Sequence, residues 1–536
     1  MSFPAREGRG TAPVNLSRLA GNAVRLLGIA FLGCILSLAL YQVWQLEPRW
    51  SAIVVVAVTA VAISMCLVRF FSDFLLVASL FCLPIASFVK FLWPEGYSVE
   101  ENVAVAWSGL NNIGVIDFVL VGLYLSWFYR VFIVRKKTPS RPFNTLDVFV
   151  LWFIVANITA TIGSVDPRLG LGATTYFLKY ALLYFYLSQH FEERHLPWLL
   201  AAFGLTIGIE ALLGAYQFAT GKLVGLAVDK GLGSSETLNT TADLAAVPGQ
   251  GNLHRASGTL IEPHALGAFL EMLLPFCGVL FLTPRLRPAL RALSLIAAGC
   301  AATTIVFTLS RGAYLGAGVS MALGVVLILA LWGERQVVPA LAALGLLGAL
   351  ILPFTAHFLY ERLTQHIDTF DARVPVYTAA LQVFGDYPLF GIGPGSWIFV
   401  YPRYDQDWLV LDWFSNLIHS DVMLTAVETG IFGLVPYVGM LLTGAWRLLN
   451  IARRRRDLAG RLALAAFLGM IAYEISNQAD PMIHEPSVNL LLWIFLSLSN
   501  ALPRLPQGAG AILMGPTGPR SRLLTAPAIA ARRAAE

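Results

Sequence analysis

Fourteen stretches of about twenty apolar residues run through this chain, and a stretch of that length can cross the hydrocarbon core of a bilayer. They cover roughly 24–45, 50–68, 72–92, 113–134, 146–164, 171–191, 198–218, 264–283, 288–309, 311–333, 338–357, 421–446, 461–479 and 486–503. In lipid a backbone must satisfy its own N–H and C=O groups, so each run is expected to be a helix. The fold class that follows is all-α, a polytopic integral membrane protein with about 14 transmembrane helices. Composition points the same way: 57% of the 536 residues are hydrophobic and only 13% are charged, against roughly 25% charged in soluble domains. Mean hydropathy is +0.69.

The first run spans 24–45, long for the apolar region of a cleavable signal, and no small-residue cleavage site follows it, so it reads as a span. Cys34, Cys66, Cys82, Cys277 and Cys300 all fall inside apolar runs. Neither a disulfide framework nor a thiolate metal site is therefore expected. The cysteines act as small hydrophobes.

Basic residues set orientation, because they concentrate on cytoplasmic flanks. With the N-terminus inside and fourteen alternating spans, 26 of the 37 lysines and arginines fall on the inner side, including Arg453–Arg456. Losing one span would put that run outside. The domain reading is a cytoplasmic segment 1–23, N-terminal transmembrane helices 24–218, an extracytoplasmic loop 219–263, and a transmembrane region 264–503 containing a large extracytoplasmic loop 358–420. The tail 504–536, rich in Gly, Pro, Ala and Arg, reads as cytoplasmic and disordered. No internal repeat is evident. Asp117, Lys179, Glu210 and Glu474 sit within or at the ends of spans, where ionisable groups are costly and usually face protein or water.

Both long loops face outward, where an extracytoplasmic active site would be built. Four phosphate or proton handlers then share one face. Arg255 lies in HRASGTLIEPHALGAFL (254–270), Arg311 opens SRGAYLGAG (310–318), Arg373 lies in DARVPVYTAALQVF, and His419 ends the large loop. Arginine offers a planar fork that matches phosphate oxygens in pairs and stays charged. Helix starts at Arg311 and His419 add backbone N–H groups and the positive dipole end. A histidine, with an unperturbed pKa of about 6.5, can take a proton from a hydroxyl near neutral pH. Such a group would bind a phosphorylated leaving group and activate a hydroxyl. Metal-free chemistry is expected, since no carboxylate cluster or histidine pair has ligand spacing.

Plainer readings compete with each of these. A single interfacial arginine commonly snorkels or satisfies helix-end carbonyls, and a single histidine there commonly caps a helix. GIGPG (391–395) reads as a tight turn rather than a phosphate cradle, lacking the lysine and the strand–helix context of a nucleotide loop. Trp397, Tyr401, Tyr404, Trp408, Trp413 and Phe414 fit an interfacial belt or sugar-stacking faces equally well.

The segment HSDVMLTAVETGIFG (419–433) resembles the signature of the O-antigen ligase and polymerase superfamily: a histidine, then Ser, Asn or Gln, then nine residues, then Gly-x-x-Gly. His419, Ser420, Gly430 and Gly433 occupy those places. Arg311-Gly-Ala-Tyr-Leu315 is similar to the family's Arg-x-x-x-Leu motif, the stretch at Arg255 to its Arg-x-Ser-Gly-Thr segment, and PLFGIGPGSW (388–397) to its glycine turn. The resemblance covers roughly 250–445. Asp421 stands where many members carry Asn or His, and His264 where Asn is common.

The resemblance implies a GT-C-like, metal-independent membrane glycosyltransferase of the bacterial inner membrane, active on its periplasmic face and using no cofactor. Its donor would be an undecaprenyl-diphosphate-linked glycan, its acceptor a glycan or lipid A-core, its setting the lipid bilayer, with no nucleic-acid partner. His419 would be the general base and Arg255, Arg311 and Arg373 would hold the diphosphate. Ser420 would cap the helix, and Gly430 and Gly433 would let a neighbouring helix approach. A ligase and a repeat-unit polymerase differ in acceptor, and both remain open. A polysaccharide or lipid transporter is the reading from another class, disfavoured by the missing repeat.

Overall fold

A computed structural model of the chain describes residues 71–86, 89–91, 112–133, 141–221, 254–260, 262–335, 337–338, 373–404 and 418–514. Their helices are α1 (Phe71–Phe81), α2 (Val115–Phe128), α3 (Thr145–Ile162), α4 (Pro167–His190), α5 (Leu196–Thr220) and α6 (Pro263–Phe281). They continue with α7 (Pro288–Thr308), α8 (Arg311–Trp332), α9 (Arg373–Asp386), α10 (Asp421–Arg454), α11 (Leu458–Ser476) and α12 (Pro486–Ala501). One short ribbon among the described residues interrupts the helical pattern, β1 (Val89–Phe91) pairing antiparallel with β2 (Asn112–Gly114). Among the described residues nine helices are long and apolar enough to cross a membrane: α2, α3, α5, α6, α7, α8, α10, α11 and α12. The protein is thus an all-α polytopic membrane protein. The expected spans 24–45 and 50–68, and all but the first residue of 338–357, lie outside the described residues, as do the segments 1–23 and 515–536.

Two expected spans look different. The run 72–92 is not one helix: α1 stops at Phe81 and a 3₁₀ turn, Leu83–Ile85, follows. Pro84 sits in that turn and has no N–H with which to continue an α-helix. The run 171–191 forms α4, 24 residues long but more polar than the nine. Its Lys179 lies 3.4 Å from Asp117 Oδ2, over the rings of Tyr176 and Tyr180, which offsets the cost of burying an ammonium.

Helix starts follow their side chains. Asn144, Asp166, Ser310, Ser420 and Asp457 cap α3, α4, α8, α10 and α11 through side-chain oxygens, and proline opens α6, α7 and α12. Only Leu309, at positive φ, and Ser310 separate α7 from α8. α6 packs on α7, α8 and α11, α10 on α3 and α11, and α12 on α4.

The start of α10, the end of α11 and the start of α12 meet at one end of the bundle. At the other end Arg141 forks onto Asp147 at 2.7 and 2.5 Å, and Asp147 also accepts from Tyr184 at 2.7 Å. Arg447 donates to Asn500 at 2.8 Å. The first residues of the tail, expected to be disordered, are tied down here. Arg455 donates to the carbonyls of Leu502, Leu505 and Pro506, and Gly508 N donates to Asp457 Oδ2 at 3.0 Å. Backbone pairing also joins Arg287 N to Leu513 O.

Candidate functional site

The centre of the candidate site is a residue that the sequence reading did not single out. Asp480, in the turn between α11 and α12, reaches three cationic or titratable groups at once. His264 Nδ1 lies 3.1 Å from its Oδ2, His419 Nδ1 lies 3.3 Å from its Oδ1, and an Arg373 terminal nitrogen lies 3.5 Å from Oδ1. Burial pushes the Asp480 carboxyl up, but His264, His419 and Arg373 outweigh it and hold it below the ordinary carboxylate range. The His419 contact is within charge-pairing range, while no hydrogen bond of good geometry from the described residues reaches its buried Nδ1.

Each partner is positioned by its own element. The His419 carbonyl accepts from Tyr377 Oη of α9 at 2.9 Å. Ser420 takes the Met423 N–H at the start of α10 and donates to Gln478 Oε1 at 3.0 Å, joining the helix start to the Asp480 turn. Asp421 lies buried and accepts from Met482 N at 2.9 Å, Ile483 N at 3.1 Å and Tyr473 Oη at 2.6 Å, so it shapes the turn after Asp480. Arg373 is the first residue of α9, which packs on α10.

The loop that carries Arg255 is clamped from α5. Glu210 accepts from Thr259 N at 2.9 Å and Thr259 Oγ1 at 2.5 Å, and Gln217 Oε1 accepts from Ser257 N and Gly258 N. Arg255 Nε donates to Thr308 O at 2.9 Å at the end of α7, and an Nη reaches the His264 ring at 3.3 Å. The guanidinium therefore both satisfies a helix-end carbonyl and extends the chain Arg255–His264–Asp480–His419. Arg311 stands at the start of α8 and does not line the cavity described below. Its neighbour Gly312 lies so close to the Asp480 turn that an added Cβ would come 3.2 Å from Ala479 Cβ.

The glycines at the far end of the signature behave differently from the expected helix–helix contact. Gly430 has φ 63° and ψ −168°, a break within α10. The turn 388–393 docks on that break by backbone pairing: Ile431 N donates to Pro388 O at 2.8 Å, Phe432 N to Leu389 O, Ile392 N to Val427 O and Gly393 N to Glu428 O at 2.9 Å. A Cβ at Gly430 would lie 2.3 Å from the Leu389 carbonyl carbon, and one at Gly391 would lie 2.4 Å from that of Glu428. Gly433 faces Thr429 of its own helix. The two glycine motifs, read separately in the sequence, are one structural unit, and Glu428 Oε1 closes it by accepting from Gly395 N at 2.8 Å.

Beside His419 and Asp480 lies a cavity of about 200 Å³. Glu262, His264, Arg373, Trp397, His419, Glu428, Asp480, His484 and Glu485 contribute to its wall. Burial, with the charges of Glu485 and Asp480, pushes the Glu262 carboxyl up to about 8; burial pushes Glu485 up to about 7 and His484 down to about 3. Trp397 and Tyr401 are buried, and Tyr404 donates to Asp386 at 2.7 Å. Trp408, Trp413 and Phe414 lie outside the described residues. The sequence signal for Asp480 was weak but present: NQADPMIHEP (477–486) is a polar, proline-marked turn on the outward side. Among the described residues no group of three or more His, Cys, Asp or Glu side chains is placed to hold a metal ion. The arrangement can orient an imidazole through a carboxylate and place cations beside it.

Residues 296–438 match the family model described as O-antigen ligase, which supports the resemblance to the O-antigen ligase and polymerase superfamily. The matched segment contains Arg311, Arg373, His419, Ser420, Gly430 and Gly433, while Arg255, His264 and Asp480 lie outside it. No curated protein matches the chain.

Proposed function

We propose that the protein is a metal-independent glycosyltransferase that moves a glycan from undecaprenyl diphosphate to a sugar hydroxyl on the periplasmic face of the bacterial inner membrane. The observation that carries this reading is the Asp480 cluster, which gathers His419, His264 and Arg373 from separate segments of the chain beside the Arg255 loop. His419 takes the proton of the acceptor hydroxyl through Nε2, since Nδ1 is turned to Asp480. The oxygen attacks the anomeric carbon, the bond to the diphosphate breaks, and undecaprenyl diphosphate leaves with its charge stabilised by Arg255, Arg311 and Arg373. Asp480 positions the imidazole and stabilises its protonated form.

O-antigen ligation in surface polysaccharide biosynthesis is the leading assignment, supported by the family match. Repeat-unit polymerisation is the same chemistry on another acceptor. The test is transfer in proteoliposomes holding the purified full-length protein and a lipid-diphosphate-linked glycan, with and without a chelator. Chelator-resistant transfer to a saccharide acceptor is expected. Movement of the glycolipid across the bilayer with no new glycosidic bond would establish a transporter instead.

A further inference from the structure

The cavity beside His419 is poor in cationic donors for a diphosphate. Its wall carries four carboxyl groups, from Glu262, Glu428, Asp480 and Glu485, and three imidazoles, from His264, His419 and His484, against the single guanidinium of Arg373, already paired with Asp480. Arg255 and Arg311 are not part of this wall. A pocket built for phosphate oxygens presents donors. This one presents mainly carboxyl and imidazole groups.

Two of those carboxyl groups are placed there by an unusual use of helix starts. Glu262 and Glu485 are the cap residues of α6 and α12, each followed by a proline, and neither side chain bonds to its own helix end. Both residues contribute to the cavity wall instead. Glu485 Oε2 is sealed from solvent, and among the described residues no donor reaches it. An unsatisfied buried acceptor of this kind calls for a partner, and a small movement of the Glu485 side chain would offer it to a ligand in the cavity. Trp397, buried in the same wall, adds an aromatic surface of the kind on which the C–H face of a sugar ring packs.

We infer that this cavity is the acceptor-sugar subsite and that it takes uncharged saccharides, with hydroxyls donating to Glu262 and Glu485 while a neighbouring hydroxyl meets His419. The inference rests on the proposed transferase reading. Hydroxyls match carboxylates as donors to acceptors. At pH 8 and above, where Glu485 and much of Glu262 are ionised, a uronate or a phosphorylated sugar would turn its oxygens toward those of Glu262, Asp480 and Glu485 and be refused. The diphosphate then binds beside this cavity, toward Arg255 and Arg311, with Arg373 at the boundary between the two substrates. Glu262 and Glu485, pushed up to about 8 and about 7, can also donate when protonated, which suits a hydroxyl in either role.

Ligand-observed saturation-transfer measurements on the purified full-length protein in detergent at pH 8 test this without requiring turnover. The probes are methyl glycosides of glucose, galactose, mannose and rhamnose, the methyl glycosides of glucuronate and galacturonate, and inorganic pyrophosphate as competitor. At least one neutral glycoside is expected to bind, its uronate counterpart not to, and pyrophosphate not to displace it. Glu262→Ala and Glu485→Ala should each weaken the neutral glycoside about tenfold or more. Glu262→Gln and Glu485→Gln, which keep shape and an acceptor oxygen, should retain it and admit the uronate. The inference is overturned if no neutral glycoside binds, if the uronate binds as well as its parent sugar, or if pyrophosphate displaces the glycoside. Unchanged affinity in folded alanine variants overturns it too. A protein that fails here yet transfers glycan in proteoliposomes keeps its proposed function and loses only this subsite.

Discussion

At the scale of single residues, the site is built around one carboxylate shared by two histidines and an arginine. If His419 is the base, His419→Ala should cut transfer by about 10²–10⁴-fold, while donor binding survives on the arginines. Asp480→Asn keeps the shape of the turn but loses the charge facing both histidines, so kcat should fall with the KM for donor nearly unchanged. A rise in KM alone would make Asp480 part of donor binding rather than a positioning residue. Arg255→Lys and Arg311→Lys keep charge but lose the planar fork, and both should impair transfer. Wild-type turnover in either variant would leave that arginine as a helix-end anchor, a role that the 2.9 Å bond from Arg255 Nε to Thr308 O already fills in part.

Among elements, α10 and the turn 388–393 form the support on which His419 stands. Their contact is backbone on backbone, which only glycine permits at Gly391 and Gly430, both at positive φ. Gly430→Ala would place a methyl 2.3 Å from the Leu389 carbonyl carbon in a backbone conformation unfavourable to alanine. A loss of at least about 2 kcal/mol is expected, read as a lowered thermal midpoint in detergent. Gly433→Ala should cost less, because its nearest contact is the Thr429 side chain rather than backbone of another segment. Equal effects at the two positions would show that the 388–393 turn does not bear on the break. The sequence placed both glycines in a motif. It could not show their contact, because Gly430 turns out of the helical conformation that a 3.6-residue period assumes.

For the whole molecule, the bundle sorts its polar groups to two ends: arginine-rich clamps at one, acids and histidines around His419 at the other. Labelling tests the orientation. A cysteine at Tyr387 should react from the outer side, whereas one at Arg456 should react only after permeabilisation; reversed accessibility would invert the site. The buried acids also set a pH dependence. Glu262 and Glu485 hold their protons to about 8 and about 7 in the folded protein, against about 4.3 for an unfolded glutamate. The folded state therefore binds more protons in that window, and stability should fall as pH rises from about 4.3 toward those values, then level off. Asp480 works in the opposite sense: its depressed carboxyl contributes fully above about 3.9 and is lost only as pH falls through its lower folded value. His264 and His484, pushed down to about 4 and about 3, act in the opposite sense up to about 6.5, so thermal melts should decline between about pH 6.5 and 8, and Glu262→Gln should flatten the decline. A flat wild-type profile would mean that these carboxyls are not buried as described.

The membrane class, most of the spans and the motif residues were legible in the sequence, because a bilayer imposes a length and an apolarity that any spanning helix must meet within its own stretch of chain. The resemblance also pointed to the cap at Ser420, which accepts from Met423 N. Local rules did not foretell that α1 ends before Pro84, since hydropathy continues where helical geometry stops. Nor could they assign Asp480, Glu262 and Glu485. An acid in a proline-marked turn carries the same local signal whether it faces water or a histidine. Which it faces depends on how the ends of α6, α10, α11 and α12 are brought together, and those ends are far apart in sequence. Local chemistry determined what each segment could be, while the site itself is a property of distances that only tertiary packing decides.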